Sequence, residues 1–273
     1  MIESPLTEEE VDQFIEDGYV HLRGVVPRDV VREGQRVIWS DLGQSPDNPA
    51  SWTEPVATML PSDPRPFAAA FDNPRLYGVF DQLVGVGRWQ PRPHLGIFIV
   101  RFPHPAPPTD TGWHVDESFP PESYGSDSYD FSQWRVNIFS GDRALLLLFF
   151  FSDIGPDDGP TRLRIGSHLD VPSILRPAGV GGMSFSRTTS LAVEASAARS
   201  VAFATGQAGD VFLCHPFLVH GAQPARGSKP RLMSRTPLVS KEPVILDQPA
   251  RADSPVEAAI RRGLVAHEEH VPS

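Results

Sequence analysis

The chain has one cysteine in 273 residues, Cys214, so no internal disulfide can form and a reducing cytoplasm is the expected setting. Its longest apolar run, residues 144–151, is eight residues long, far short of the roughly 20 that cross a bilayer as a helix. The opening residues lack a basic stretch followed by an apolar one, so no secretory signal is expected. The formal net charge is −10 and no basic stripe appears, which argues against electrostatic nucleic-acid binding. No H-E-x-x-H occurs, so a zinc hydrolase of that helical type is not indicated. Lysine is nearly absent, two against 22 arginines, a bias without a functional account at this level. Neither an internal repeat nor a low-complexity linker divides the chain, and a single domain over residues 1–273 is expected.

What is present reads as many short strands between helical ends. The 29 prolines and 22 glycines are spread along the sequence, which suits strands joined by turns. Thr7-Glu8-Glu9-Glu10 is a capping box, followed by Val11, Phe14 and Ile15 on one helical face and by Gly18 as a stop. Residues 19–22 read as a strand. A second helix is expected from Pro27 at its first position, so the N-terminal segment of about 7–45 is largely helical. At the far end, Ser254-Pro255-Val256-Glu257 predicts another helix, over about 254–263, with Gly263 as its stop. Between them, residues 144–151 read as a central strand buried on both faces, with a buried helix as the competitor. Two stretches, 117–133 and 179–200, read as irregular loops able to close over a site.

The chemistry-bearing residues are His114, Asp116 and His220, with Arg231 eleven residues after the last. Two imidazoles and one carboxylate suit non-haem iron(II) with coordination positions left open. In a strand beginning near Trp113, His114 and Asp116 project to one face while Val115 packs behind. His215 and His220 are both candidates for the third ligand. His215 precedes Pro216, which ends or bulges a strand, and packing is the expected role there; His220 ends an apolar run and is the expected ligand. Residues 231–236 read as a strand antiparallel to the previous one, with Arg231, Met233 and Arg235 on a common face. An arginine fork there could grip an organic carboxylate in bidentate fashion. Gly166-Ser167-His168 reads as a turn, and Cys214 as core.

Together, several motifs resemble the phytanoyl-CoA dioxygenase family of Fe(II)- and 2-oxoglutarate-dependent oxygenases. They are Gly112-Trp113-His114-Val115-Asp116, Asp158-Gly159-Pro160-Thr161-Arg162, Gly166-Ser167-His168, His220-Gly221-Ala222-Gln223-Pro224 and Pro230-Arg231, preceded by the opening Asp17-Gly18-Tyr19-Val20. The resemblance spans about residues 6–236. It implies a mainly β fold with flanking helices and a double-stranded β-helix core (jelly roll, cupin-like) over about 90–240. It also implies Fe(II) and 2-oxoglutarate as cofactors, dioxygen and a small organic molecule as co-reactants, and release of succinate and carbon dioxide. The histidine-to-arginine spacing favours Arg231 over Arg235 for 2-oxoglutarate. Ala222 and Ala225 stand where such proteins often carry serine and asparagine, so Arg101, on the strand-like segment 96–101, is the candidate second contact. A carboxylate at position 116, where related halogenases have Gly or Ala, favours oxygen insertion.

Substrate contacts are expected from Arg135, Asn137 and Phe119 near the mouth of the fold. Two other readings stay open: a cupin-type oxygenase that does without 2-oxoglutarate, and a non-catalytic jelly-roll binding module.

Overall fold

The computed structural model describes residues 5–116, 118–120, 133–139, 143–246 and 253–268. Helix α1 (Glu8–Asp17) starts at the capping box: Thr7 accepts from the Glu10 amide and the Glu10 carboxylate accepts from the Thr7 amide. Gly18, in the left-handed region at φ 87°, ends it. Strand β1 (Tyr19–Leu22) and helix α2 (Arg28–Leu42) follow, with Pro27 one position before the helix instead of at its first residue. The segment after α2, for which no element is predicted above, holds strand β2 (Val56–Met59) and helices α3 (Arg65–Phe71) and α4 (Pro74–Val84).

Ten further strands build the core: β3 (Ile97–Arg101), β4 (Trp113–His114), β5 (Arg135–Val136), β6 (Leu145–Phe150), β7 (Thr161–Arg164), β8 (Met183–Ser184), β9 (Val201–Ala204), β10 (Val211–Cys214), β11 (His220–Gly221) and β12 (Arg231–Leu238). Helices α5 (Val171–Leu175), α6 (Phe185–Ala195) and α7 (Pro255–Glu268) lie among and after them. A six-stranded sheet runs β1-β10-β6-β12-β3-β2, and a four-stranded sheet runs β4-β11-β7-β9. Every pairing in both is antiparallel. This is the jelly-roll arrangement with flanking helices. The larger sheet takes its two edge strands, β1 and β2, from the segment before residue 90.

The run 144–151 becomes β6, third of six strands. Its residues alternate between two cores. Leu145, Leu147 and Phe149 pack with the helical layer, and Leu146, Leu148 and Phe150 with the inter-sheet core that includes Leu163, Phe212 and Met233. A strand covered on both faces has no polar side to show, hence the unbroken apolar sequence. Phe67 on α3 fixes the helical layer to the sheet, its ring 4.7 Å from Phe98 and 5.3 Å from Phe151.

Three expectations are corrected. Strand β12 pairs with β3 and β6, not with the preceding β11, because the chain crosses from one sheet to the other between them. Residues 179–200 are not an open loop: they hold β8 and α6, whose buried Thr188 and Ala192 lie one turn apart. Gly263 does not stop α7. A side chain there would meet the Leu169 carbonyl at 2.4 Å, so glycine lets the helix lie directly on that backbone.

Candidate active site

His114 closes β4 and His220 opens β11. The antiparallel register sets them directly opposite each other, with ring centroids 4.4 Å apart. Trp113 anchors β4 to its sheet, its ring contacted by the guanidinium groups of Arg162 and Arg164 on β7, at 4.4 and 4.6 Å from its centroid. Each imidazole turns Nδ1 to a backbone carbonyl two residues earlier, His114 to Gly112 at 3.2 Å and His220 to Leu218 at 3.0 Å. A carbonyl can only accept, so Nδ1 carries the proton and Nε2 presents its lone pair. Asp116 lies just past the end of β4 with Val115 fully buried beside it. Its Oδ1 is 3.5 Å from His114 Nε2 and 3.7 Å from His220 Nε2. The three donor groups lie within 4.8 Å of one another. Ligands around one first-row ion sit on the order of 3 Å apart when bonds are about 2.1 Å.

The donor set fits iron(II), and one atom is left open toward an ion. His220 Nε2 is buried and has no hydrogen-bond partner among the described residues. Burial, and after it His114, push the His220 imidazole down to about 4 against the opposing pull of Asp116, so it stays neutral and able to ligate.

Asp116 is held by more than the histidines. Arg143 donates to its Oδ2, and Arg235 Nη1 donates to its Oδ1 at 3.2 Å. Burial would raise this carboxyl; Arg143, then Arg235, then the histidines outweigh it and hold it well below the usual carboxylate range. Sequence reasoning missed both contacts. The signal for Arg143 was its place: a charge immediately before a strand with no exposed face needs a buried partner.

On the other sheet, Arg231 begins β12 and faces Arg101 at the end of β3 in register. Both are almost wholly buried, at 1% and 0% exposure. Arg101 Nη2 meets Asp110 Oδ2 at 2.5 Å, and Arg231 Nη1 donates to the Gly159 carbonyl at 2.6 Å. Arg101 Nε and Nη1 and Arg231 Nε find no partner among the described residues. Burial, then the charge of Arg101, push the Arg231 guanidinium down to about 9, with Asp110 opposing. Two buried cations against one carboxylate leave a place for one more anion. Gly159 makes this packing possible: its φ is +68° and a side chain would come within 2.9 Å of Arg101 Cδ. That accounts for the glycine of the Asp158-Gly159-Pro160-Thr161-Arg162 motif.

Both cross-strand pairs open onto one cavity of about 230 Å³, walled also by Ile97, Ile99, Leu148, Thr161, Ala222 and Arg235. Its size suits a small organic acid more than the roughly 300–1,000 Å³ of a drug-sized site. At Ala222 and Ala225 no side chain adds a polar contact; besides the histidines and arginines, Thr58, Asp110 and Thr161 supply the polar wall.

The expected substrate residues lie elsewhere. Arg135 donates to the carbonyls of Gly181 and Gly182, both at 2.6 Å, and Asn137 to that of Val180 at 2.8 Å. Phe119 exchanges backbone hydrogen bonds with Arg135. None of the three is among the residues lining the cavity. Most of the expected loop 117–133, including Tyr124 and Tyr129, lies outside the described residues. The other stretch, 179–200, does approach the site, through Phe185 at the start of α6, edge-on to His114 at 6.3 Å. His215 is buried against the Val256 carbonyl at 3.3 Å, and His168 binds the Ile15 carbonyl at 3.0 Å in a short 3-10 turn; neither reaches the cavity.

Several solved structures share this fold. The epimerase SnoN of nogalamycin biosynthesis, in complex with Fe3+, alpha ketoglutarate and nogalamycin RO, is 18% identical with a TM-score of 0.59, covering 90% of this chain and 92% of its own. EctD from S. alaskensis, with 2-oxoglutarate and 5-hydroxyectoine, is 20% identical with a TM-score of 0.56, covering 86% and 77%. HygX from Streptomyces hygroscopicus, with nickel, 2-oxoglutarate and hygromycin B, is 17% identical with a TM-score of 0.50, covering 86% and 88%. No curated protein gives a significant match. No helix among the described residues is long and apolar enough to cross a membrane. The family model for phytanoyl-CoA dioxygenase (PhyH) matches residues 14–233, and the chain belongs to that family.

Proposed function

We propose that the protein is an Fe(II)- and 2-oxoglutarate-dependent oxygenase acting on a small organic substrate. The observation that carries this reading is a three-donor group, two of whose members line a cavity, with a buried arginine pair on the walls of the same cavity. His114 and His220 through Nε2, and Asp116 through Oδ1, would hold the ferrous ion. Arg231, seconded by Arg101, would hold the distal carboxylate of 2-oxoglutarate. When bound, iron and 2-oxoglutarate supply dioxygen activation coupled to oxidative decarboxylation, giving succinate, carbon dioxide and an oxidised substrate.

The chain's own contribution is placement. The carbonyls of Gly112 and Leu218 fix the imidazole tautomers. Arg143 fixes Asp116 by the oxygen turned away from the histidines. Ile97, Ile99, Leu148 and Met233 line the cavity with apolar surface, which keeps bulk water from screening the arginine–carboxylate contact. A carboxylate at position 116 fills the site that a halide would need, which favours hydroxylation or a related oxidation. The molecules named for the structural relatives differ from one another, so the fold does not choose the substrate.

Adding Fe(II) and 2-oxoglutarate without oxygen should produce a visible charge-transfer band, and a metabolite panel under air should identify substrates by succinate release. Turnover in the absence of 2-oxoglutarate would instead favour a cupin-type oxygenase. Absence of both the band and succinate would favour a non-catalytic module.

A further inference from the structure

Asp116 has two oxygens and two arginines, and the arginines do not play equivalent parts. Arg143 takes Oδ2 from a side chain only 10% exposed. Oδ1 is left facing His114 and His220, and it is this oxygen that Arg235 occupies at 3.2 Å. Arg235 is one-third exposed and lies on the cavity wall, so its guanidinium has space to turn that Arg143 lacks.

We propose that Arg235 competes with the metal for Asp116 Oδ1, standing in for the missing cation in the metal-free protein and giving up the oxygen when the ion arrives. The inference rests on the iron-site reading above and adds an order of events to it. Asp116 is 1% exposed, and a carboxylate so deeply buried is costly unless cations face it. Arg235 supplies that charge at the oxygen nearest both imidazoles. A divalent ion about 2 Å from the same oxygen attracts it more strongly than a guanidinium at hydrogen-bond distance. Loading therefore moves Arg235 along the cavity wall, and the metal binds more weakly than it would if Oδ1 stood open.

The ordinary expectation has the opposite sign. A hydrogen-bond donor to a ligating carboxylate supports the metal, and removing it costs about 10–100-fold in affinity. Co(II) is a redox-stable probe for the comparison, titrated calorimetrically into the wild-type protein and Arg235→Gln without co-substrate, with thermal melts of both forms. The proposal expects Co(II) to bind the variant about tenfold or more tightly. It also expects a lower melting temperature for the metal-free variant and an equal one once Co(II) is bound. Arg235→Lys, which keeps the charge but not the fork, should fall between the two. Unchanged or weaker Co(II) binding by Arg235→Gln overturns the proposal. If that variant folds only with metal present, chelator competition on the loaded protein gives the same comparison. Failure of the wild-type protein to bind Co(II) would strike the iron-site reading itself, a separate outcome.

Discussion

Replacing Arg231 with methionine should stabilise the ligand-free protein while removing its response to 2-oxoglutarate. Burial and the facing Arg101 lower this guanidinium from its ordinary 12.5 to about 9. The folded pKa of this base lies below the unfolded one. The penalty is therefore complete below about 9 and relieved only as pH climbs toward 12.5, so it is present in full at neutral pH. At 1.36 kcal/mol per pKa unit, the drop caps the cost at roughly 5 kcal/mol. Against it stands the contact with the Gly159 carbonyl, whose loss leaves a buried acceptor unpaired at about 1–3 kcal/mol. A net gain of at most about 2–4 kcal/mol accords with what replacing buried charges by apolar side chains achieves elsewhere. At roughly 2–4 °C per kcal/mol for chains near this size, the melting temperature should rise by several degrees. Thermal melts of both proteins with and without 2-oxoglutarate test this. A variant that melts below the wild type without ligand, or that keeps the wild-type upshift with it, refutes the argument.

Asp116→Ala should abolish succinate formation and weaken Co(II) binding strongly; ordinary turnover in that variant would remove the carboxylate from the scheme. Gly159→Ala should lower stability by at least about 1 kcal/mol, from the left-handed backbone alone, and weaken 2-oxoglutarate binding by disturbing Arg101. His168, pushed down to about 3, and His215, held well below its ordinary 6.5, are both lowered chiefly by burial. Their folded values lie below the unfolded one, so the unfolded chain takes up more protons. Stability should then fall as pH drops below about 6.5, each histidine contributing roughly 1.4 kcal/mol per pH unit, and His168→Gln should flatten the slope in urea titrations. Burial, assisted by Asp116, pushes the Cys214 thiol far up, so a thiol reagent should leave it unmodified until the protein unfolds.

Much of this was legible because single residues carry strong local rules. The Thr7–Glu10 box and the two-sided burial of β6 follow from short-range chemistry, whereas the preference for Arg231 over Arg235 comes from the family resemblance. Arg101 could be suspected only from the absence of polar side chains at Ala222 and Ala225. What could not be read depends on distance in sequence. The facing of His114 by His220, and of Arg231 by Arg101, is set by register across strands more than a hundred residues apart. The grip of Arg143 and Arg235 on Asp116 arises only when two sheets close. Helix α6 escaped notice because its buried face is one threonine and one alanine. Helix α4, by contrast, carried a readable start that went unused: Asn73 caps it and Pro74 opens it.

The pairing of β3 with β12 also bears on how firmly the larger sheet is closed. Its register sets two guanidinium groups face to face, and like charges in that relation weaken the seam. An anion seated between them would therefore tighten the sheet as well as fill the cavity.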